Sequence, residues 1–337
     1  MQIGELSSVL PDLSGCPVDR ICDYGGSDRK IGVIADGRQY MLKFAHKNER
    51  GIDFSTSCVS PVFSEYIGSE IFRACGIPAH ETHLVLYKGE LAVACRNFCE
   101  EGDYDREFAW YMRTVYDASE RGRIPRLPQI YNVMKTPELR PILDESVKRY
   151  WDTFVIDALI GNFDRHTGNW SYIYNRRTGK MRQAPVYDCG SSLFPGLDEA
   201  GMANVLAHPD ALAERVLKFP LAALSVKQSR KVSYTDMLTS GFDRHCEQAV
   251  LRMYPRIDME KIGSIVDGIP ILSDVRRRFY KTILKVRYDF IIRDACRRAE
   301  EQRFDAEAVK RIEEGLPCPQ SEIDRLARRI AESSDSV

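Results

Sequence analysis

Over the first hundred residues, short apolar runs alternate with turn residues, a pattern that predicts strands. Lys30-Ile31-Gly32-Val33-Ile34-Ala35 and Gln39-Tyr40-Met41-Leu42-Lys43-Phe44 flank Asp36-Gly37, a pair suited to a two-residue hairpin turn. A second hairpin is expected where residues 83–87 and 90–95 meet at Lys88-Gly89. Between the hairpins, Ile67, Ile71 and Phe72 keep helical spacing and predict a helix over residues 62–75, stopped by Gly76-Ile77-Pro78.

Beyond residue 101 the period changes to that of helices. Phe108, Met112 and Val115 predict a helix over residues 105–119. Val147, Tyr150, Trp151, Phe154, Val155 and Leu159 predict one over 145–160, ended by Gly161. A strand pair, 170–174 and 181–187, is expected around the turn at 175–179. Phe279, Ile283, Val286 and Phe290 mark one face of a long helix over 274–303. The expected fold class is therefore α+β, with a small β-rich lobe carrying one helix (residues 1–100) and a larger, mainly helical lobe (101–337). Chains of this layout often bind a ligand in the cleft between lobes.

Composition narrows the class of molecule. A length of 337 residues suggests two domains or lobes. Apolar residues at 44% and charged residues at 29% describe a folded chain, not a disordered one. Lys and Arg number 48 against 49 Asp and Glu, a net charge of −1 that argues against direct nucleic-acid binding. The longest apolar run, residues 153–160, is broken by Asp157, and no stretch approaches the roughly 20 residues of a membrane span. Ten cysteines without a Cys-X-X-Cys pair are expected to be reduced. With no basic segment and apolar stretch at the N-terminus, the expected location is the cytoplasm, export into a host cell being left open.

The chemistry concentrates in Gly161-Asn162-Phe163-Asp164-Arg165-His166-Thr167-Gly168-Asn169, between a predicted helix and a predicted hairpin. After that hairpin comes Val186-Tyr187-Asp188-Cys189-Gly190. An Asp, an Asn five residues on, and a second Asp before X-Gly is the order used for phosphoryl transfer by the protein-kinase class. Asp164 would accept the proton of an attacking hydroxyl, and Asn169 and Asp188 would offer oxygen ligands to Mg2+ on ATP phosphates. Each piece alone also reads as ordinary turn chemistry. Upstream, the backbone of Gly25-Gly26-Ser27-Asp28 could cover phosphates, though it matches neither common glycine-rich pattern and reads equally as a plain turn. Lys43, charged among apolar strand neighbours, calls for a partner, and Glu65 on the following helix could supply it; an outward-facing strand lysine is the alternative.

These segments, with Ala184-Pro185-Val186-Tyr187-Asp188-Cys189-Gly190-Ser191-Ser192-Leu193, Tyr40-Met41-Leu42-Lys43 and Ser64-Glu65-Tyr66, resemble the HipA-like serine/threonine kinases, and among them the compact CtkA-like members. The resemblance spans roughly residues 20–300. It implies a bilobal protein-kinase-like fold, Mg-ATP between the lobes and transfer to serine or threonine hydroxyls of a protein substrate. It assigns Asp164 as base, Asn169 and Asp188 as metal ligands, Lys43 and Glu65 as the phosphate-binding lysine and its helix glutamate, and His166 an orienting place in the catalytic loop. Arg96, Asn97 and Phe98, after Cys95, fall at the family's hinge, whose backbone would meet adenine. By the same resemblance Ser27 would be a regulatory autophosphorylation site, since a phosphate there adds about 1.5 to 2 negative charges beside ATP. An antitoxin protein is an implied partner. The alternative with the same site is a kinase of small molecules or lipid head groups.

The chain departs from the commoner kinase pattern: Asn162-Phe163-Asp164 stands where His-Arg-Asp is usual, and no Ala-Pro-Glu follows Gly190. Arg276, Arg277, Arg278, Lys281, Lys285, Arg287 and Arg293 make the late helix basic, which reads as a solvated face, with binding of an acidic or nucleic-acid-bound substrate as the alternative. Histidines 46, 80, 83, 208 and 245 form no helical zinc pair.

Overall fold

A computed structural model describes residues 8–19, 29–45, 59–121, 124–227 and 230–334. Gly25, Gly26 and Ser27 lie outside the described residues. Among those described, the chain divides into two compact units: Met1–Phe98 with Pro185–Ala203 and Glu260–Tyr280, and Cys99–Ala184 with Asn204–Met259 and Lys281–Val337. No described helix is long and apolar enough to cross a membrane.

The first unit is built on a five-stranded antiparallel sheet of order β1-β2-β3-β5-β4. Its strands are β1 (Val18–Asp19), β2 (Lys30–Ala35), β3 (Arg38–Phe44), β4 (Thr82–Tyr87) and β5 (Glu90–Arg96). Both expected hairpins form. Asp36 and Gly37 take φ of 47° and 71°, and Lys88 and Gly89 take 51° and 75°. Positive φ at both central residues is the turn whose twist matches paired strands. Val33, Leu42, Phe44, Val85, Tyr87, Ala92 and Ala94 form a core cluster on the sheet. Helix α1 (Ser60–Ala74) buries Val62, Phe63, Ile67, Ile71 and Phe72. It starts two residues before the expected boundary, with Pro61 in its first turn, where a missing N–H costs nothing.

In the second unit, the expected helix over 105–119 is corrected. Asp103–Glu107 is a strand, β6, Phe108–Val115 is helical (α2), and a separate short helical turn covers Ala118–Arg121. Asp105 pairs with Ile173 of β7 (Ser171–Asn175), so sheet hydrogen bonds override the local helical pattern. β7 pairs in turn with β8 (Lys180–Gln183), shorter than the expected 181–187. The chain leaves that sheet at Ala184-Pro185; Val186 makes a lone bridge to Ala79 in the first unit's own fold.

Helix α3 (Leu143–Ile160) is the spine of the second unit and buries Trp151, Phe154, Val155, Ile156, Leu159 and Ile160. It ends as expected at Gly161, with φ of 68°. The long helix expected over 274–303 is broken into α4 (Asp274–Arg287), a π-helical turn (Tyr288–Ile292) and α5 (Arg293–Glu300). The wider turn shifts the buried face, so Ile291 and Ile292 are buried while Phe290 is only half-buried. The solvated basic face holds for Arg278, Lys281, Lys285 and Arg293, which are exposed, but not for Arg276 and Arg287, each 1% exposed. A buried guanidinium needs acceptors. Arg276 finds Ser60 Oγ at 2.7 Å and Glu199 at 3.1 Å, and Arg287 finds three backbone carbonyls. No disulfide joins the eight described cysteines to one another.

Candidate active site

Lys43 sits on β3 opposite Val93 of β5, with only 16% of its side chain exposed. Its ammonium donates to Glu65 Oε2 at 3.0 Å and to Asp188 Oδ1 at 2.7 Å. Glu65, on the inner face of α1, is 1% exposed. Burial works to raise its carboxyl, but Lys43 and His80 outweigh burial and hold it well below the usual carboxylate range. Burial likewise works to lower Lys43, and the Glu65 and Asp188 carboxylates keep it above its ordinary value. Both groups are therefore charged at neutral pH. His80, whose ring is 3% exposed, places Nε2 3.0 Å from Ser69 Oγ and 3.0 Å from Glu65 Oε1. The Glu65 contact has the distance of an ion pair without the alignment of a hydrogen bond. His80 also donates its amide to Val186 O at 2.9 Å, which ties the segment bearing Asp188 to the same part of the unit.

Asp188 has φ of 59°, in the left-handed region that an L-residue occupies at a cost. Its side chain remains 40% exposed, so one face is paired with Lys43 and the rest is open to a ligand. The turn is held from beneath: Ser192 donates through N and Oγ to Cys189 O at 3.1 and 2.5 Å, and Ser64 Oγ on α1 donates to Ser192 O at 2.6 Å. The glycine of Asp-X-Gly has a packing reason. A Cβ at Gly190 would lie 3.3 Å from Glu65 Oε2 and 3.6 Å from Pro61 O. Glu65, His80 and Cys95 also group their possible ligand atoms within 4.8 Å, but the Glu65 charge is already matched by Lys43.

The hinge candidates are only partly open. The Arg96 amide donates to Glu81 O at 2.8 Å and its guanidinium to Glu81 Oε2 at 2.8 Å. Asn97 donates through N and Nδ2 to Gln39, both at 2.9 Å. Those two amides are thus engaged within the sheet. Phe98 stacks on Tyr187, with ring centroids 5.8 Å apart.

The second unit holds Asp164, His166 and Asn169 in one tight loop after α3. The Asn169 Nδ2 donates to Asp164 O at 2.8 Å, and its amide donates to His166 O at 2.9 Å. This fixes the Asn169 carboxamide through its nitrogen, and Oδ1 is the atom not used in that bond. His166 Nδ1 accepts from Gly168 N at 3.0 Å, and Nε2 lies 3.9 Å from Asp164 Oδ2. The Asp164 side chain is 45% exposed.

Sequence reasoning missed what holds this loop. Asp157, 1% exposed, pairs with Arg165 through Nε at 2.9 Å and Nη2 at 3.1 Å. Arg165 Nη1 donates onward to Asn169 O at 3.1 Å. Asn162 Nδ2 donates to Asp157 Oδ1 at 3.1 Å, while Asn162 Oδ1 accepts from Asp164 N at 3.0 Å. Tyr234 Oη donates to Asn162 O at 2.6 Å. Arg287 donates to Ala158 O at 2.8 Å, a cation at the negative end of α3. Burial pushes this guanidinium down to about 10, which leaves it charged at neutral pH. The signal for Asp157 was present, since it is the acid that breaks an otherwise apolar run. Arg287 and Tyr234 carried no local signal.

A HipA-like C-terminal domain model matches residues 22–255. The serine/threonine-protein kinase CtkA of Helicobacter pylori strain J99 is 33% identical over 295 residues, covering 86% of this chain and 89% of that protein. The crystal structure of the Helicobacter pylori proinflammatory kinase CtkA superimposes with a TM-score of 0.81 at 32% identity, over 88% of this chain and 99% of that one. HipA of Shewanella oneidensis MR-1, solved with HipB and operator DNA, reaches a TM-score of 0.48 at 14% identity, over 89% of this chain and 73% of that one. By the family model and by identity with CtkA over most of both chains, this chain belongs to the HipA-like family.

Proposed function

We propose that this HipA-like kinase transfers the γ-phosphoryl group of Mg-ATP to serine or threonine hydroxyls of a protein substrate. The observation that carries the reading is Lys43 held between Glu65 and Asp188, at 3.0 and 2.7 Å, in a chain of this family. A lysine fixed by a buried helix glutamate presents its charge to phosphates without paying to find its place.

The donor set suits Mg2+. Asp188 offers a carboxylate and Asn169 an amide oxygen, both hard oxygen ligands. Asp188 and Asn169 would hold the ion, which would supply positive charge against the phosphates. Asp164, exposed at the head of its loop, accepts the hydroxyl proton, and His166 orients the loop. Arg96, Asn97 and Phe98 form the proposed adenine edge, with contact through groups other than the two engaged amides. In this reading residues 1–100 form the nucleotide-covering lobe, Gly25, Gly26 and Ser27 its phosphate loop, and residues 101–337 the catalytic lobe.

Autophosphorylation at Ser27 extends the reading, because a phosphate there would repel the nucleotide. Peptide mass spectrometry after incubation with Mg-ATP checks it, and unmodified Ser27 in active enzyme contradicts it. An antitoxin partner and a cytoplasmic place of action rest on family membership alone.

The test is incubation of the purified chain with [γ-32P]ATP and a protein extract, with and without Mg2+, followed by phosphoamino-acid analysis. Mg-dependent phosphoserine or phosphothreonine supports the proposal. Label confined to lipid or small molecules contradicts it.

A further inference from the structure

Lys231 belongs to none of the segments that the kinase pattern singles out. It directly precedes β9 (Val232–Ser233), far along the chain from the catalytic loop. Yet its ammonium donates to Phe163 O at 2.5 Å, the carbonyl immediately before Asp164. It also lies 5.8 Å from the centroid of the Phe163 ring. The Asp164 carboxylate acts on its charge, but among the described residues the two are not in ion-pair contact.

This arrangement is informative for two reasons. A lysine ammonium carries three donors, and the Phe163 carbonyl takes one while fixing the position of the nitrogen. The carbonyl that holds that nitrogen belongs to the residue immediately before Asp164, so a cation and a base are set on one short stretch of loop, the pairing that stabilises a reacting oxygen. A lysine that only balanced the loop's charge would close onto the carboxylate. Partial burial lowers Lys231 somewhat against the pull of Asp164, as expected for a cation kept from full hydration. Residues 161–169 of the loop itself contain no lysine.

We infer that Lys231 is a further catalytic residue, which contacts an oxygen of the transferring γ-phosphoryl group beside Asp164. The inference rests on the kinase reading above. In the step, the substrate hydroxyl oxygen bonds to the γ-phosphorus as the bond from that phosphorus to the bridging oxygen breaks. ADP leaves with the electron pair, and the hydroxyl proton passes to Asp164. Lys231 gains and loses no proton; its charge offsets the negative charge on the phosphoryl oxygens during transfer.

The test compares wild type, Lys231→Met and Lys231→Arg by [γ-32P]ATP transfer, ATP titration and thermal melting. Removing a single cationic donor from a transferring group typically costs about 100-fold in kcat. Lys231→Met should lose that much while ATP affinity stays within about threefold and the melting temperature holds. Lys231→Arg should recover part of the rate, because it keeps the charge. A Lys231→Met enzyme with kcat within threefold of wild type overturns the inference while the kinase reading stands. So does a loss shared equally by melting temperature and ATP affinity, which would make Lys231 a structural prop. Wild-type protein that transfers no label overturns both.

Discussion

Lys43 and Asp188 stand 145 residues apart in the chain, and their charged atoms meet at 2.7 Å. The pair joins a lysine on a sheet strand to the aspartate of a strained turn, with Glu65 completing the triad from α1. Three elements of the first unit are thus set by one ammonium.

Removing that ammonium should cost stability as well as activity. Lys43→Met leaves Glu65 buried without its cation, a change worth about 3 kcal/mol in comparable pairs. Denaturant unfolding should show it, and the double variant Lys43→Met/Glu65→Gln should recover much of the loss. A double variant no more stable than Lys43→Met would argue that the pair does not govern this stability.

The same triad predicts an acid response. Glu65 is held below its ordinary value in the fold, so its contribution is complete above about pH 4.3 and is lost as pH falls further, towards the lowered folded value. Melting temperature should therefore drop less for Glu65→Gln than for wild type between about pH 5 and about pH 3. Parallel acid limbs would contradict the assignment.

Gly190 tests how tightly the turn carrying Asp188 packs on Glu65. A Cβ there would sit 3.3 Å from Glu65 Oε2, closer than ordinary contact, and both Lys43 and His80 hold that carboxylate in place. Gly190→Ala should cost about 1 to 3 kcal/mol by overpacking and lower phosphate transfer with it. Full stability and activity in this variant would show that Glu65 can yield.

In the second unit, Gly161 and Gly179 form a natural control. Their φ values are alike, 68° and 67°, but a Cβ at Gly161 would meet the Arg287 guanidinium at 3.0 Å while one at Gly179 meets open space. Each alanine should lose about 1 kcal/mol for the left-handed backbone. Gly161→Ala should lose more, because it displaces the guanidinium that caps α3. Equal losses in thermal melts would remove Arg287 from the account.

Much of this was legible in the sequence because local rules and tertiary needs agreed. Both hairpins formed on their turn residues, and α1 and α3 followed their apolar spacing, with Gly76 and Gly161 at their ends. Lys43 stood out as a charge among apolar neighbours, and Glu65 proved to be its partner. The failures came where distant chain decided. Asp105 became a strand residue because Ile173 offered hydrogen bonds, and the late helix turned its buried face at a π-turn that periodicity does not foresee. Arg276 and Arg287 looked solvated because their acceptors are far away in the chain, Ser60, Glu199 and the end of α3 among them. Asp157 was visible as a break in an apolar run, but its partner Arg165 was not, since eight residues and a helix end separate them.

The proposed phosphoryl transfer runs through Asp164 and Asp188. Its most direct test is the initial rate of 32P transfer from [γ-32P]ATP to protein serine and threonine by wild type, Asp164→Ala and Asp188→Ala, with folding confirmed by thermal melts. The expected result is transfer by wild type and a loss of about 100-fold or more in each variant. Label that persists at the wild-type rate in both variants would contradict it.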